Sequence, residues 1–155
     1  DDFTGTFAVV KDAYQKLKDS FSSLDTVCCI YATAPLLKAK HLQEAYNLMQ
    51  NAHAKSVISI CEFPFPIQRA FVKDDNGNLS YREPKFAPMR SQDLQKCYQD
   101  CGLFYFYDKS CFEYAKDYQS IGYAMPRHRV IDIDTPEDWD YACAMAKAVE
   151  ELKLD

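Results

Sequence analysis

Two acidic residues near the carboxyl end carry the clearest chemistry, within Val130-Ile131-Asp132-Ile133-Asp134-Thr135-Pro136. Along an extended chain successive side chains point to opposite faces, so Asp132 and Asp134 share one side. Ile131 and Ile133 then face a core. Thr135 and Pro136 have the character of a helix cap and first helical residue, so the strand should end where the acids are. Two carboxylates at the end of a buried strand suit a magnesium ion shared with a substrate phosphate. The same residues also fit a plainer arrangement, in which Asp134 and Thr135 cap the helix and Asp132 is solvated.

Elements that would position such a site can be read along the chain. Phe7, Val10, Tyr14 and Leu17 recur at helical spacing, with Thr4 or Thr6 as caps. Residues 26–31 form a continuous apolar run, which predicts a buried parallel strand. Residues 41–50 are amphipathic, with Leu42, Ala45, Tyr46 and Met49 on one helical face. Residues 56–61 predict a second buried strand. Helix, strand, helix, strand in that order predicts a parallel α/β sheet. In segment 62–90, Pro64, Pro66, Pro84 and Pro88 break regular structure, and Asn76-Gly77 lies between two extended runs. That pattern predicts an inserted β-hairpin. Beyond it, the spacing predicts a short helix over 91–98, an aromatic strand over 103–107 and a helix over 109–118. A final strand over 129–133 and a helix from Pro136 to about Leu152 complete the chain.

The 155 residues suffice for one domain with a real core. A net charge of −5 and the lack of a basic stripe argue against a nucleic-acid partner. No apolar run is long enough for a membrane helix, and no signal peptide opens the chain. Seven cysteines without a C-x-x-C pair predict reduced thiols in a cytoplasmic protein, with Cys28, Cys29 and Cys61 buried in strands. The start at Asp1, with no initiator methionine, looks like the middle of a protein.

Four spaced blocks together resemble the acylneuraminate cytidylyltransferases, the CMP-sugar synthetases. They are Asp1-Asp2-Phe3-Thr4-Gly5-Thr6, Tyr31-Ala32-Thr33-Ala34-Pro35-Leu36, Arg90-Ser91-Gln92-Asp93-Leu94 and Asp132-Ile133-Asp134-Thr135. Further blocks are Phe63-Pro64-Phe65-Pro66-Ile67-Gln68-Arg69-Ala70, then Tyr98, Asp100 and Gly102, and Pro126-Arg127-His128-Arg129. The resemblance implies a Rossmann-like nucleotide-diphospho-sugar transferase fold, three-layer α/β/α. It also implies transfer of CMP from CTP to a nine-carbon keto-sugar acid, with release of pyrophosphate, for surface glycan or flagellin glycosylation.

The resemblance assigns residues as well. Asp132 and Asp134 match the catalytic, magnesium-binding carboxylates. Thr4, Gly5 and Thr6 match the segment lining the nucleotide pocket. Tyr31 and Thr33 fall in a loop beside the sugar. Arg90, with Gln92 in its block, matches an arginine near the sugar acid, and Gln68 and Arg69 are further sugar-site candidates. Pseudaminic acid is the sugar these blocks imply. Sialic acid synthetases usually carry glutamine at the position of Tyr31. The alternatives are a synthetase for sialic or legionaminic acid, or a non-catalytic sugar-binding or dimerisation module. The family's glycine- and basic-rich phosphate loop has no counterpart among the glycines at 5, 77, 102 and 122. The expectation is therefore an N-terminally truncated domain, lacking its first strands and inactive alone. Its hairpin would reach into a partner subunit of a homodimer.

Overall fold

A computed structural model describes residues 4–21, 23–114 and 118–154. The first three residues of the opening block, and residues 115–117 near the end of the helix expected over 109–118, lie outside them.

One four-stranded sheet organises the chain. Its strands are β1 (Thr26–Ile30), β2 (Ser56–Glu62), β5 (Tyr98–Asp108) and β6 (Ser120–Ala124), in the order β1-β5-β2-β6. Only β2 and β6 pair in parallel, because β5 runs antiparallel to both β1 and β2. The all-parallel expectation is thus corrected to a mixed sheet. β1, β2 and β6 still point the same way, with β5 running back between the first two.

Alternation along β5 builds two cores. Phe104 and Phe106 pack on one face with Ala45 and Met49 of helix α2 (Ala39–Asn51). Tyr105 and Tyr107 pack on the other with Val10 and Tyr14 of helix α1 (Thr6–Leu17). A sheet must bury both faces, and one helix on each gives three layers. α1 starts from Gly5, with no side-chain cap, so neither Thr4 nor Thr6 caps it. In α2, Tyr46 is exposed and His41 is the third buried residue of the inward face.

Several boundaries differ from expectation. Among the described residues β1 is an edge strand, paired with β5 alone, and its Cys28 and Ile30 are exposed. The expected 91–98 helix is a single 3-10 turn, Ser91–Asp93, and β5 begins at Tyr98. The helix after β5 is α3, Ser110–Glu113. Residues 129–133 form no strand. Arg129 closes a 3-10 turn, Val130 is extended, and residues 131–133 carry no ladder bonds. The strand preceding them is β6. Segment 62–90 holds a separate two-stranded hairpin, β3 (Phe71–Lys73) and β4 (Leu79–Tyr81). Asp74 closes its turn by accepting backbone N–H bonds from Asn76 and Asn78. α4 (Pro136–Glu151) follows the acidic segment.

Candidate active site

Because β1, β2 and β6 share a direction, their carboxyl ends emerge at one edge of the sheet. Open α/β sheets place ligands at that edge. Loop 31–38, loop 62–70 and segment 125–134 all leave from it, and the start of β5 arrives there.

On the α1 side, Thr6 and Tyr31 meet through a short hydroxyl–hydroxyl bond. The Tyr31 ring lies 5.6 Å from that of Tyr105, whose hydroxyl donates to both carboxylate oxygens of Asp100 at 3.0 and 2.9 Å. Burial, then the carboxylate of Asp100, pushes the Tyr105 hydroxyl well above its ordinary value, so it stays a proton donor. A β-bulge makes this possible. Register jumps from Ile58↔Tyr105 to Ile60↔Asp100, so Ser59 alone faces four residues of β5. Gly102 sits in the bulge at φ +60°, and its N–H donates to Asp100 at 2.9 Å. Bulges commonly re-aim a side chain beside a functional site.

A second group forms around loop 62–70. Arg69 donates to the Ser91 hydroxyl at 3.2 Å. Gln68 is buried, its amide donating to the Gln95 carbonyl at 2.7 Å. The Gln68 Oε1 and Arg69 Nε are buried without a partner. Beside them a 370 Å³ cleft lies between residues 62–66 and 91–97, with Gln92 on its wall. Arg90 is exposed and chelated by Asp93 at 2.7 and 3.1 Å. An exposed pair of that kind is worth only about 0–1 kcal/mol, so an incoming carboxylate can compete for the guanidinium. Thr33 is half-buried in loop 31–38, while Thr4 and Gly5 are exposed just ahead of α1.

Asp132 and Asp134 are both exposed, alternating with buried Ile131 and half-buried Ile133. The in–out pattern of the sequence therefore survives without a sheet. The plainer reading is also partly realised. Thr135, rather than Asp134, caps α4 in a reciprocal box with Asp138. The Asp138 carboxylate accepts from the backbone N–H of Asp134 and Thr135 at 3.2 and 2.8 Å. This leaves the Asp134 side chain outside the cap. Among the described residues no group of three or more His, Cys, Asp or Glu side chains gathers as a metal site. Two carboxylates alone fit magnesium, which usually takes one or two protein carboxylates and fills its shell with water and substrate phosphates.

The sequence reading assigned no role to Tyr105 or Arg129. The Asp100-Cys101-Gly102 turn was the available signal for the first. The second lies in the Pro126-Arg127-His128-Arg129 block, but its partners are distant in the chain.

Comparison with known proteins adds to this geometry. No protein-family model matches the chain. It is 38% identical over 97% of its length to the pseudaminic acid cytidylyltransferase of Campylobacter jejuni serotype O:2, and 37% identical over the same share to that of serotype O:23/36. The chain is similar to pseudaminic acid cytidylyltransferases along nearly its whole length. It spans 66% of the length of these two relatives. A Helicobacter pylori protein, named as both a pseudaminic acid cytidylyltransferase and a UDP-2,4-diacetamido-2,4,6-trideoxy-beta-L-altropyranose hydrolase, is 30% identical over 68% of the chain and 20% of its own length. Among solved structures, 4-diphosphocytidyl-2C-methyl-D-erythritol synthase from Anaerococcus prevotii superposes with a TM-score of 0.55. That superposition covers 87% of this chain and 64% of that structure at 14% identity, which supports a shared Rossmann-like fold.

Proposed function

We propose that this chain serves a cytidylyltransferase that moves CMP from CTP to pseudaminic acid and releases pyrophosphate. The observation that carries the reading is 38% identity, over nearly the whole chain, to a relative of that name. The anomeric hydroxyl of the sugar attacks the α-phosphate, so catalysis consists mainly of positioning and charge neutralisation. Thr4, Gly5 and Thr6 border the nucleotide. Tyr31, Thr33, Gln68, Arg69, Arg90 and Gln92 receive the sugar acid, with Arg90 exchanging Asp93 for the sugar carboxylate. Asp132 and Asp134 hold Mg2+, which neutralises phosphate charge when bound. Tyr105 fixes the Asp100 carboxylate beside Tyr31, which places fixed hydrogen-bond acceptors there.

The hairpin exposes Phe71, Val72 and Leu79, an apolar surface suited to a second copy of the chain. We infer a homodimer formed through it. All seven cysteines are free thiols, which favours a reducing, cytoplasmic setting.

The test is pyrophosphate release by the full-length protein with CTP, Mg2+ and pseudaminic acid, with N-acetylneuraminic acid as comparison. Release with pseudaminic acid, lost about 10²–10³-fold in Asp132→Asn and Asp134→Asn, is expected from several kcal/mol of charge stabilisation. Full activity in both variants overturns the metal assignment. Turnover of N-acetylneuraminic acid alone overturns the substrate.

A further inference from the structure

Arg129 heads the segment that carries the two carboxylates, and it is only 2% exposed. Its Nη1 donates to the Leu36 carbonyl at 3.1 Å and its Nη2 to the Leu154 carbonyl at 2.6 Å. Its Nε is buried without a partner. Among the described residues its bonded partners are therefore main-chain carbonyls, not a carboxylate. Burying a cation this way is costly. Leu154 lies just beyond α4, where the negative end of the helix dipole offsets part of that cost.

What the guanidinium joins is informative. Leu36 belongs to the loop that carries Tyr31 and Thr33. Asp132 and Asp134 follow Arg129 by three and five residues. The intervening chain makes no ladder hydrogen bonds, so the sheet does not locate it. Its other anchors are the half-buried Val130, packed against the core under α2, the buried Ile131 and the Thr135–Asp138 capping box. A planar fork reaches two separate carbonyls at once, whereas an ammonium offers a single point of charge.

We propose that Arg129 is a positioning residue that fixes Asp132 and Asp134 relative to the sugar-side loop 31–38. It thereby couples the metal carboxylates to that loop. The inference rests on the reading of Asp132 and Asp134 as ligands of the divalent cation.

The test compares full-length wild type with Arg129→Lys, Arg129→Gln and the exposed control Lys147→Gln. Amide hydrogen exchange is measured without ligands, and Mn2+ binding in the presence of CTP is followed by electron paramagnetic resonance. In Arg129→Lys, exchange should rise together in 31–37 and 130–134, with β2 and β5 unchanged. Mn2+ affinity should fall about 10–100-fold, the usual effect of losing a residue that orients a ligand. Lys147→Gln should match wild type. Wild-type exchange in both segments in the lysine and glutamine variants overturns the proposal. A rise confined to 152–154, or spread through the sheet, also overturns it and leaves Arg129 a purely structural anchor. If exchange rises in both segments but wild type binds no Mn2+, the ligand reading fails while the mechanical coupling stands.

Discussion

Ser59→Ala tests how the bulge in β5 is held. Ser59 is fully buried, and its hydroxyl oxygen accepts the backbone N–H of Leu103 at 3.3 Å and of Phe104 at 3.0 Å. It is the one β2 residue facing residues 101–104 of β5, where regular pairing lapses. Alanine keeps the shape nearly unchanged but leaves two buried donors without this acceptor. Each such orphan costs about 1–3 kcal/mol. The Leu103 bond is long and loses less, so the total should be about 2–4 kcal/mol. That is a large part of the 5–15 kcal/mol typical of a domain. With a urea slope of about 1–3 kcal/mol/M, the midpoint should fall by roughly 1–2 M with the slope unchanged. The assay is urea unfolding followed by far-UV circular dichroism. Ser80→Ala, at an exposed site in the hairpin, should stay within about 0.5 kcal/mol of wild type. A loss below about 0.5 kcal/mol in Ser59→Ala would refute the argument, because the amides would then have found other partners.

Gly102→Ala should cost about 1–2 kcal/mol, from its φ of +60° alone, since the new Cβ meets only Tyr31 Cε2 at 4.0 Å. Gly102→Asn should cost less, and equal losses in urea titrations would point to packing instead. Thr135→Ala should cost about 1 kcal/mol and raise amide exchange at the start of α4, as loss of a cap does. Burial, reinforced by the nearby Arg129 charge, lowers the His41 pKa below its usual 6.5. The unfolded chain then binds the proton more readily, so stability is full above about pH 6.5 and declines as pH falls towards the lower folded value. Urea titrations between pH 5 and 8 should show this slope in wild type and a shallower one in His41→Gln; identical slopes would count against it.

How far the sequence disclosed this arrangement depended on whether the decisive contacts were local. β2 was legible because β5 and β6 cover its edges and helices cover its faces, leaving an apolar run interrupted only by Ser59. The same rule misread β1, whose equally apolar run lies at an edge with Cys28 and Ile30 exposed. Strand direction was invisible for a related reason, since β5 inserts between β1 and β2 from far along the chain. β6 escaped notice because Ser120, Gly122 and Ala124 dilute it, although Ile121 and Tyr123 alternate as a half-buried strand should. Over 130–134 the alternation was read correctly, but pairing was assumed. The Thr6–Tyr31 contact joined two residues assigned on resemblance, and Arg69 met Ser91 of the block that carries Arg90 and Gln92, whereas Tyr105 and Arg129 act through partners that no spacing announces.

The two halves of the site are therefore held by different means. Tyr105 and Asp100 flank a bulge locked into the sheet, so a change such as Ser59→Ala should disturb them only by weakening the fold itself. Asp132 and Asp134 stand on a chain that the sheet does not pair. Arg129 holds one end of it, Ile131 the middle and the Thr135–Asp138 box the other end. Loosening any one of these leaves the two packed cores intact. A change at 135 should thus move the carboxylates at a cost of only about 1 kcal/mol in stability, and a divalent ion that takes only two protein ligands is sensitive to their separation. This part of the site is where activity and stability should separate most cleanly.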